Sequence, residues 1–223
     1  MRFILLAIFL CWNLSNVWAQ SVPVEGTELA SEAIFDDRAL INGYTDKFSD
    51  ESREVLLEMI SDDSIGPYKC TSAVRVFKRK HAKEVLSAEK SGVLKVLLRR
   101  LNRTDSPFVQ VEIFHTLVAL DHYQYFEAMV PALIQKLDHY NPVVRNLAFE
   151  DLSDIIKDNE RPREARIVFN TLRKIFFLTH NRLNNISKPD EKLKQKISIL
   201  RWAIKILGTQ ELRRLPSEVI RLL

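Results

Sequence analysis

Glycine is scarce here, with 5 in 223 residues. No glycine-rich loop exists that could wrap a phosphate. Hairpin signals, a two-residue turn between alternating strands, are lacking too. Cysteine is nearly absent: Cys11 and Cys70 are the two. Beyond the first twenty residues only Cys70 remains, so no internal disulfide can staple that part, and packing must hold it. Cys70 falls among apolar positions of a predicted helix and reads as a core thiol. No apolar run approaches the roughly 20 residues that a membrane-spanning helix needs. No HExxH motif and no GxSxG elbow is present, which removes the short signatures of zinc hydrolysis and serine acyl transfer.

What is there begins with a leader. Arg2 gives a positive start, Phe3 to Trp12 is an apolar run of 10, and Val17-Trp18-Ala19 resembles a small-residue cleavage site. That order predicts a secretory signal peptide over 1–19, cleaved after Ala19, and hence an exported protein, periplasmic or secreted. Cys11 follows Leu10 rather than a small residue, which disfavours a lipid anchor.

Charge comes in alternating blocks. Residues 20–66 carry 3 basic against 12 acidic residues, and residues 67–106 carry 11 against 3. Residues 107–160 carry 3 against 9, and residues 161–223 carry 15 against 5. The overall net charge is only +4. Such blocks do not make one nucleic-acid face. They can pair with one another along the chain or present separate patches.

Apolar residues recur at three and four, which predicts an all-α chain. A flexible start covers 20–26. A helix is expected over Thr27 to Asn42, ended by Gly43, so that 20–48 forms a start and N-terminal cap. Ser49 can cap the next helix, with Val55, Leu56, Met59 and Ile60 buried. Pro67, Pro107, Pro142 and Pro189 each open a run of helix formers, as suits the first helical turn. Their spacings are 40, 35 and 47. Val109, Phe114, Leu117 and Leu120 superpose on Val144, Phe149, Leu152 and Ile155 at an offset of 35. A self-similar helix pair of this length predicts an α-solenoid of about four stacked pairs. The repeat domain is expected over 49–208, with a C-terminal capping helix over 209–223.

Pro131 to Ile156, PALIQKLDHYNPVVRNLAFEDLSDII, resembles a HEAT repeat. Pro131 stands for the proline of the first helix and Asp138 for the turn acid. Asn141, Pro142, Val144 and Arg145 match the start of the second helix. The preceding repeat is similar, with Gln110 where the arginine belongs. The resemblance implies an armadillo-type superhelix, with second helices lining a concave face, and binding rather than catalysis. It implies a structural role for Pro131, Asp138, Asn141, Pro142, Val144 and Arg145, with Arg145 holding the carboxylate of Asp138 or of a neighbouring repeat.

The expected function is a non-catalytic scaffold, monomeric, that binds a protein or peptide partner on the concave face. The candidate contacts are Lys69, Arg75, Arg79, Gln110, Asn146 and Glu150. No cofactor and no metal is expected. The five histidines read as surface or turn residues. Asp36-Asp37, Asp62-Asp63 and Glu150-Asp151 read as helix ends or solvated faces. Trp202, Phe169, Phe176 and Phe177 read as core. A basic patch of Lys78, Arg79, Lys80, Lys83, Arg99, Arg100 and Arg103 supports two alternatives. One is nucleic-acid binding, as in the HEAT-like DNA glycosylases; the other is association with an anionic membrane. Export argues against the first. Asn102 and Asn185 sit in glycosylation sequons.

Overall fold

The computed structural model describes residues 36–157, 159–183 and 189–223. The leader 1–19, the start 20–26, most of the helix expected from Thr27, and Asn185 lie outside the described residues.

All regular structure among the described residues is helical. Ten α-helices follow one another among the described residues. They are α1 (Asp37–Lys47), α2 (Arg53–Ser61), α3 (Pro67–Lys80), α4 (Ser87–Arg103) and α5 (Pro107–Leu120). Then come α6 (His122–Lys136), α7 (Pro142–Ile156), α8 (Pro162–Leu183), α9 (Glu191–Leu207) and α10 (Ser217–Ile220). Short 3-10 turns lie at Ala82–Glu84 and Thr209–Arg214.

The ends of these helices are written locally. Proline opens α3, α5 and α7 at the first turn. The Asp121, Asn141 and Asp190 side chains accept the N–H groups of Gln124, Val143 and Leu193 at 3.1, 2.8 and 2.8 Å. Each thereby satisfies one donor that the first turn leaves free. Gly208 ends α9 at φ 97°, a conformation that side chains rarely adopt.

Several expected boundaries move. Gly43 does not stop a helix; α1 runs through it, and its φ is not positive. Ser52, not Ser49, caps α2, accepting Val55 N–H at 3.3 Å. Val55 itself is exposed, while Leu56 and Ile60 are buried. Pro189 precedes the cap of α9 rather than opening it. The C-terminal cap is a 3-10 turn followed by one helical turn, not a single helix.

Asp37–Leu223 forms one unit. Successive helices pair as α2 with α3, α4 with α5, α6 with α7, and α8 with α9. The odd-numbered helices also touch in order: α1 on α3, α3 on α5, α5 on α7, α7 on α9. In the even-numbered set α2 packs on α4 and α6 on α8. A shared apolar core runs through both sets and includes Leu56, Phe77, Leu97, Leu117, Leu133, Leu152, Phe169 and Leu200. Burying each such side chain is worth about 1.5–3 kcal/mol. The equivalence at offset 35 holds in burial. Val109 and Val144 are fully buried, as are Leu117 and Leu152, while Phe114, Phe149, Leu120 and Ile155 are half-buried. Helix α5 touches α3, α4, α6 and α7 and is buried nearly all round, which explains its continuous apolar sequence. Phe169 and Phe176 are core, as expected, but Phe177 is 51% exposed. Trp202 is half-buried and donates to Asn159 O at 3.2 Å.

Candidate partner-binding face

The odd-numbered helices carry a charge cluster inside the fold. Arg75 and Lys78 stand three apart on α3, and Glu112 and His115 three apart on α5, so each pair shares a helix face. Asp151 joins them from α7. The Glu112 carboxylate accepts from the Arg75 guanidinium, with N···O distances of 2.6 and 2.8 Å, and from Lys78 Nζ at 2.8 Å. Lys78 Nζ also donates to Asp151 Oδ1 at 2.6 Å. His115 Nδ1 lies 2.7 Å from Asp151 Oδ1 and 2.9 Å from Lys78 Nζ. That nitrogen can serve one neighbour at a time: as acceptor it takes a Lys78 proton, as donor it gives its own to Asp151. On the far side Arg75 reaches Asn42 of α1, at 3.4 Å. Three consecutive odd helices are thus tied by side chains that are almost wholly buried, and the exposed Asn42 extends the tie to α1.

The electrostatics follow from that burial. Burial alone would raise the Glu112 carboxyl, but the positive charges of Lys78 and Arg75 outweigh it and hold it down to about 2. Burial likewise pushes Lys78 toward its neutral form, and the Glu112 and Asp151 carboxylates reverse this and raise it. Two cations balance two carboxylates, so the cluster is a set of mutual partners. Asp151 Oδ2 has no partner among the described residues although Asp151 is only 5% exposed.

A second set of bonds joins α1 to α7. Asp37 accepts from Tyr68 Oη at 2.5 Å and from Asn141 Nδ2 at 2.7 Å. The Asp37 hydrogen bond pushes the Tyr68 hydroxyl up to about 12. Arg38 meets Glu150 at 2.7 Å. The first turn of α1 therefore reaches from the start of α3 to α7, past the Tyr68–Phe108 ring contact with centroids 5.7 Å apart.

The expected contact residues do not form one exposed set. Lys69 is exposed, with Nζ 5.7 Å from the Tyr44 ring centre, and Arg79 is exposed. Arg75 is only 6% exposed and belongs to the cluster. Gln110 is half-buried, donating to Thr104 O at 3.0 Å and accepting from Lys136 at 2.7 Å. Asn146 accepts from Gln195 at 2.9 Å. Glu150 is exposed but paired with Arg38.

The basic patch is dispersed for a similar reason. Lys78 lies in the cluster, and Arg100, only 7% exposed, donates to Asp62 O at 3.0 Å. Arg103 bonds Asp63, which Arg99 approaches to 3.9 Å, and Lys80 bonds Ser49 O. Arg79 and Lys83 are exposed, as are Lys80, Arg99 and Arg103 outside the contacts just named. Two further readings change. His115 is buried rather than on the surface, and Asp151 is buried rather than solvated.

The residues expected to frame the repeat lie inside α6, in the turn that follows it and in the first turn of α7. Pro131 lies inside α6, Asn141 caps α7, Pro142 opens it, and Val144 is fully buried. Arg145 does not hold Asp138. It donates to the carbonyls of His139 and Tyr140, both at 3.0 Å. Asp138 instead takes Lys196 of α9 at 2.6 Å. His122 pairs with Glu164 at 2.8 Å, so His115 and His122 go to different acids. Among the described residues no group of three or more His, Cys, Asp or Glu could hold a metal ion. Among them too, no helix is long and apolar enough to cross a membrane. Cys70 is buried, and burial pushes its thiol up.

Glu112 is the residue that sequence reasoning missed. Its signal was present: it is the single acid in PFVQVEIFHTLVAL, a helix otherwise apolar enough to be interior. An acid there must bring a cation with it.

No protein family, no curated protein and no solved structure matches this chain.

Proposed function

We propose that this chain is a non-catalytic, HEAT-like helical-repeat scaffold, an α-solenoid of four helix pairs, that binds a protein or peptide partner through its odd-numbered helices. One observation carries the repeat reading. Gln110 and Arg145, at equivalent positions, each donate to the backbone carbonyl six residues earlier, Thr104 and His139. The same turn is closed by the same device one repeat apart. The stepwise contacts of α1, α3, α5, α7 and α9 agree with a stack in which each pair shares its apolar face with the next.

Binding rather than chemistry is supported by the cluster, where each cation already has a carboxylate partner. A framework cross-linked in this way can present exposed side chains in fixed positions. Export through residues 1–19 is part of the proposal and rests on their sequence. The patch that motivates the nucleic-acid and membrane alternatives is reduced, since Arg100 is buried, Lys78 is nearly so, and Lys80 and Arg103 already have partners.

The test is capture of partners from the exported fraction by wild type and by a Lys69→Glu, Arg79→Glu double variant. A partner retained by wild type and lost by the variant supports the reading. Identical capture by both would remove the odd-numbered face from consideration.

A further inference from the structure

The even-numbered helices do not form a continuous layer. Helix α2 packs on α4 and α6 packs on α8, but α4 and α6 are not a packed pair; α5, which packs on both, joins them. The space left between them is a cleft of about 690 Å³, open to solvent along one side. It runs along α4 from Ser87 to Arg99 and reaches the first turn of α6. Twelve residue steps of helix make that about 18 Å long.

The lining has a pattern. Leu94 and Leu98, one turn apart on α4, form an apolar floor with Tyr125, which is only 8% exposed. Lys90, Lys95 and Arg99 line the same cleft. Asp121 is the one acid in it, and Lys90 holds it at 2.8 Å. Lys95 has no partner among the described residues, and Arg99 stands 3.9 Å from Asp63, beyond hydrogen-bonding range. Three cations against one acid around an apolar strip are complementary to one kind of surface.

We infer that the cleft between α4 and α6 is a second binding site, one that takes an acidic amphipathic helix of a partner protein. A helix of about three turns fills 18 Å and offers leucine-like side chains at i and i+4 to Leu94, Leu98 and Tyr125. Its flanking Asp or Glu residues meet Lys95 and Arg99 and compete with Asp121 for Lys90. Small molecules are usually enclosed on most of their surface. A long trough open on one side suits a helix laid into it. The site uses no residue of the odd-numbered face, so it stands or falls separately from the function proposed above.

The experiment uses the full chain and a fluorescent peptide of about 12 residues, helical, with Leu at i and i+4 and Glu beside them. Saturable binding is read by anisotropy. The Lys95→Glu, Arg99→Glu double variant is expected to weaken it at least about tenfold, as is replacing the peptide's Glu by Lys. The Lys69→Glu, Arg79→Glu variant is expected to bind as wild type does. Circular dichroism melts of both variants check that they fold. Absence of saturable binding, or equal affinity in the Lys95→Glu, Arg99→Glu variant, overturns the inference. Anionic vesicles or duplex DNA bound in place of the peptide, with the same sensitivity to those two substitutions, overturn it as well.

Discussion

Arg145 illustrates how a sequence pattern can single out a side chain without giving its partner. Its place after Asn-Pro-Val-Val marks it as a frame residue. Its partners are two carbonyls rather than Asp138, because Lys196 arrives from α9, 58 positions away, to take that acid. No local pattern announces such a long-range pairing. Charge-assisted hydrogen bonds contribute about 1.5–3 kcal/mol, and 1 kcal/mol moves the melting temperature of a domain this size by about 2–4 °C. Arg145→Ala is therefore expected to lower the melting temperature by several degrees. Arg145→Gln is expected to keep part of that loss back, since Gln110 already does the same task with an amide. A melting temperature within about 1 °C of wild type for the alanine variant would remove the turn-closing role. Glu112 sets a larger expectation. Glu112→Gln leaves Arg75 without its carboxylate and Lys78 with one fewer, all of them buried. Removing one partner of a buried pair costs about 3–5 kcal/mol, which urea denaturation would resolve. A loss below about 1 kcal/mol would mean that water already shields the cluster.

The helix pairs were legible because three of their second members start with proline and keep a buried stripe of period near 3.6. Only the first half of α1, through Asn42, was legible. Its stripe is short, Ile41 and Thr45 with Phe48 beyond the end, and a glycine inside it resembles a stop. Glycine ends a helix when its φ turns positive, as at Gly208, and Gly43 keeps a negative φ inside α1. That yields a prediction. A Cβ built on Gly43 meets nothing within 4 Å, and the same is true of Gly92 inside α4. Replacing glycine by alanine inside a helix removes chain entropy from the unfolded state and is worth about 0.5–1 kcal/mol. Gly43→Ala and Gly92→Ala should each raise the melting temperature, and the double variant should raise it additively, since the two lie in different helices with no shared contact at the new methyl groups. A fall at either position would show that its helix bends or opens there. The buried charges were the other gap. Periodicity counts Glu112, His115 and Asp151 as polar and assigns them to the outside. Helices α3, α5 and α7 pack in succession, so the flank of each is covered by the next, and polar residues survive there if the neighbour carries their complement.

The alternating charge blocks are explained by such pairing along the chain. Asp63 of the first acidic block holds Arg100 and Arg103 of the first basic block. Arg75, Lys78 and Lys90 of that basic block hold Glu112, Asp151 and Asp121 of the next acidic one. Asp138 of that block then takes Lys196 of the last. Each block meets its neighbour of opposite sign, so a modest net charge conceals strong internal order. This has a consequence in acid. The Glu112 carboxyl is held near 2, well below an ordinary glutamate near 4.3. Glu164 is also lowered: burial works against it, but hydrogen bonds from His122, Asn159 and Arg161 prevail. A carboxyl with a folded-state pKa below its unfolded value stabilises the fold fully above the unfolded value, and that contribution is lost as pH falls toward the folded one. The melting temperature should therefore be level from about pH 7 to pH 5 and fall steeply between about pH 4 and pH 2. Glu112→Gln should start lower and fall less over the same window, because the most strongly shifted proton-binding group is gone. Thermal melts at half-unit pH steps on both proteins decide it. Parallel curves would transfer the acid sensitivity from the buried cluster to the exposed pairs, and the cluster would no longer be what fastens α3, α5 and α7 together.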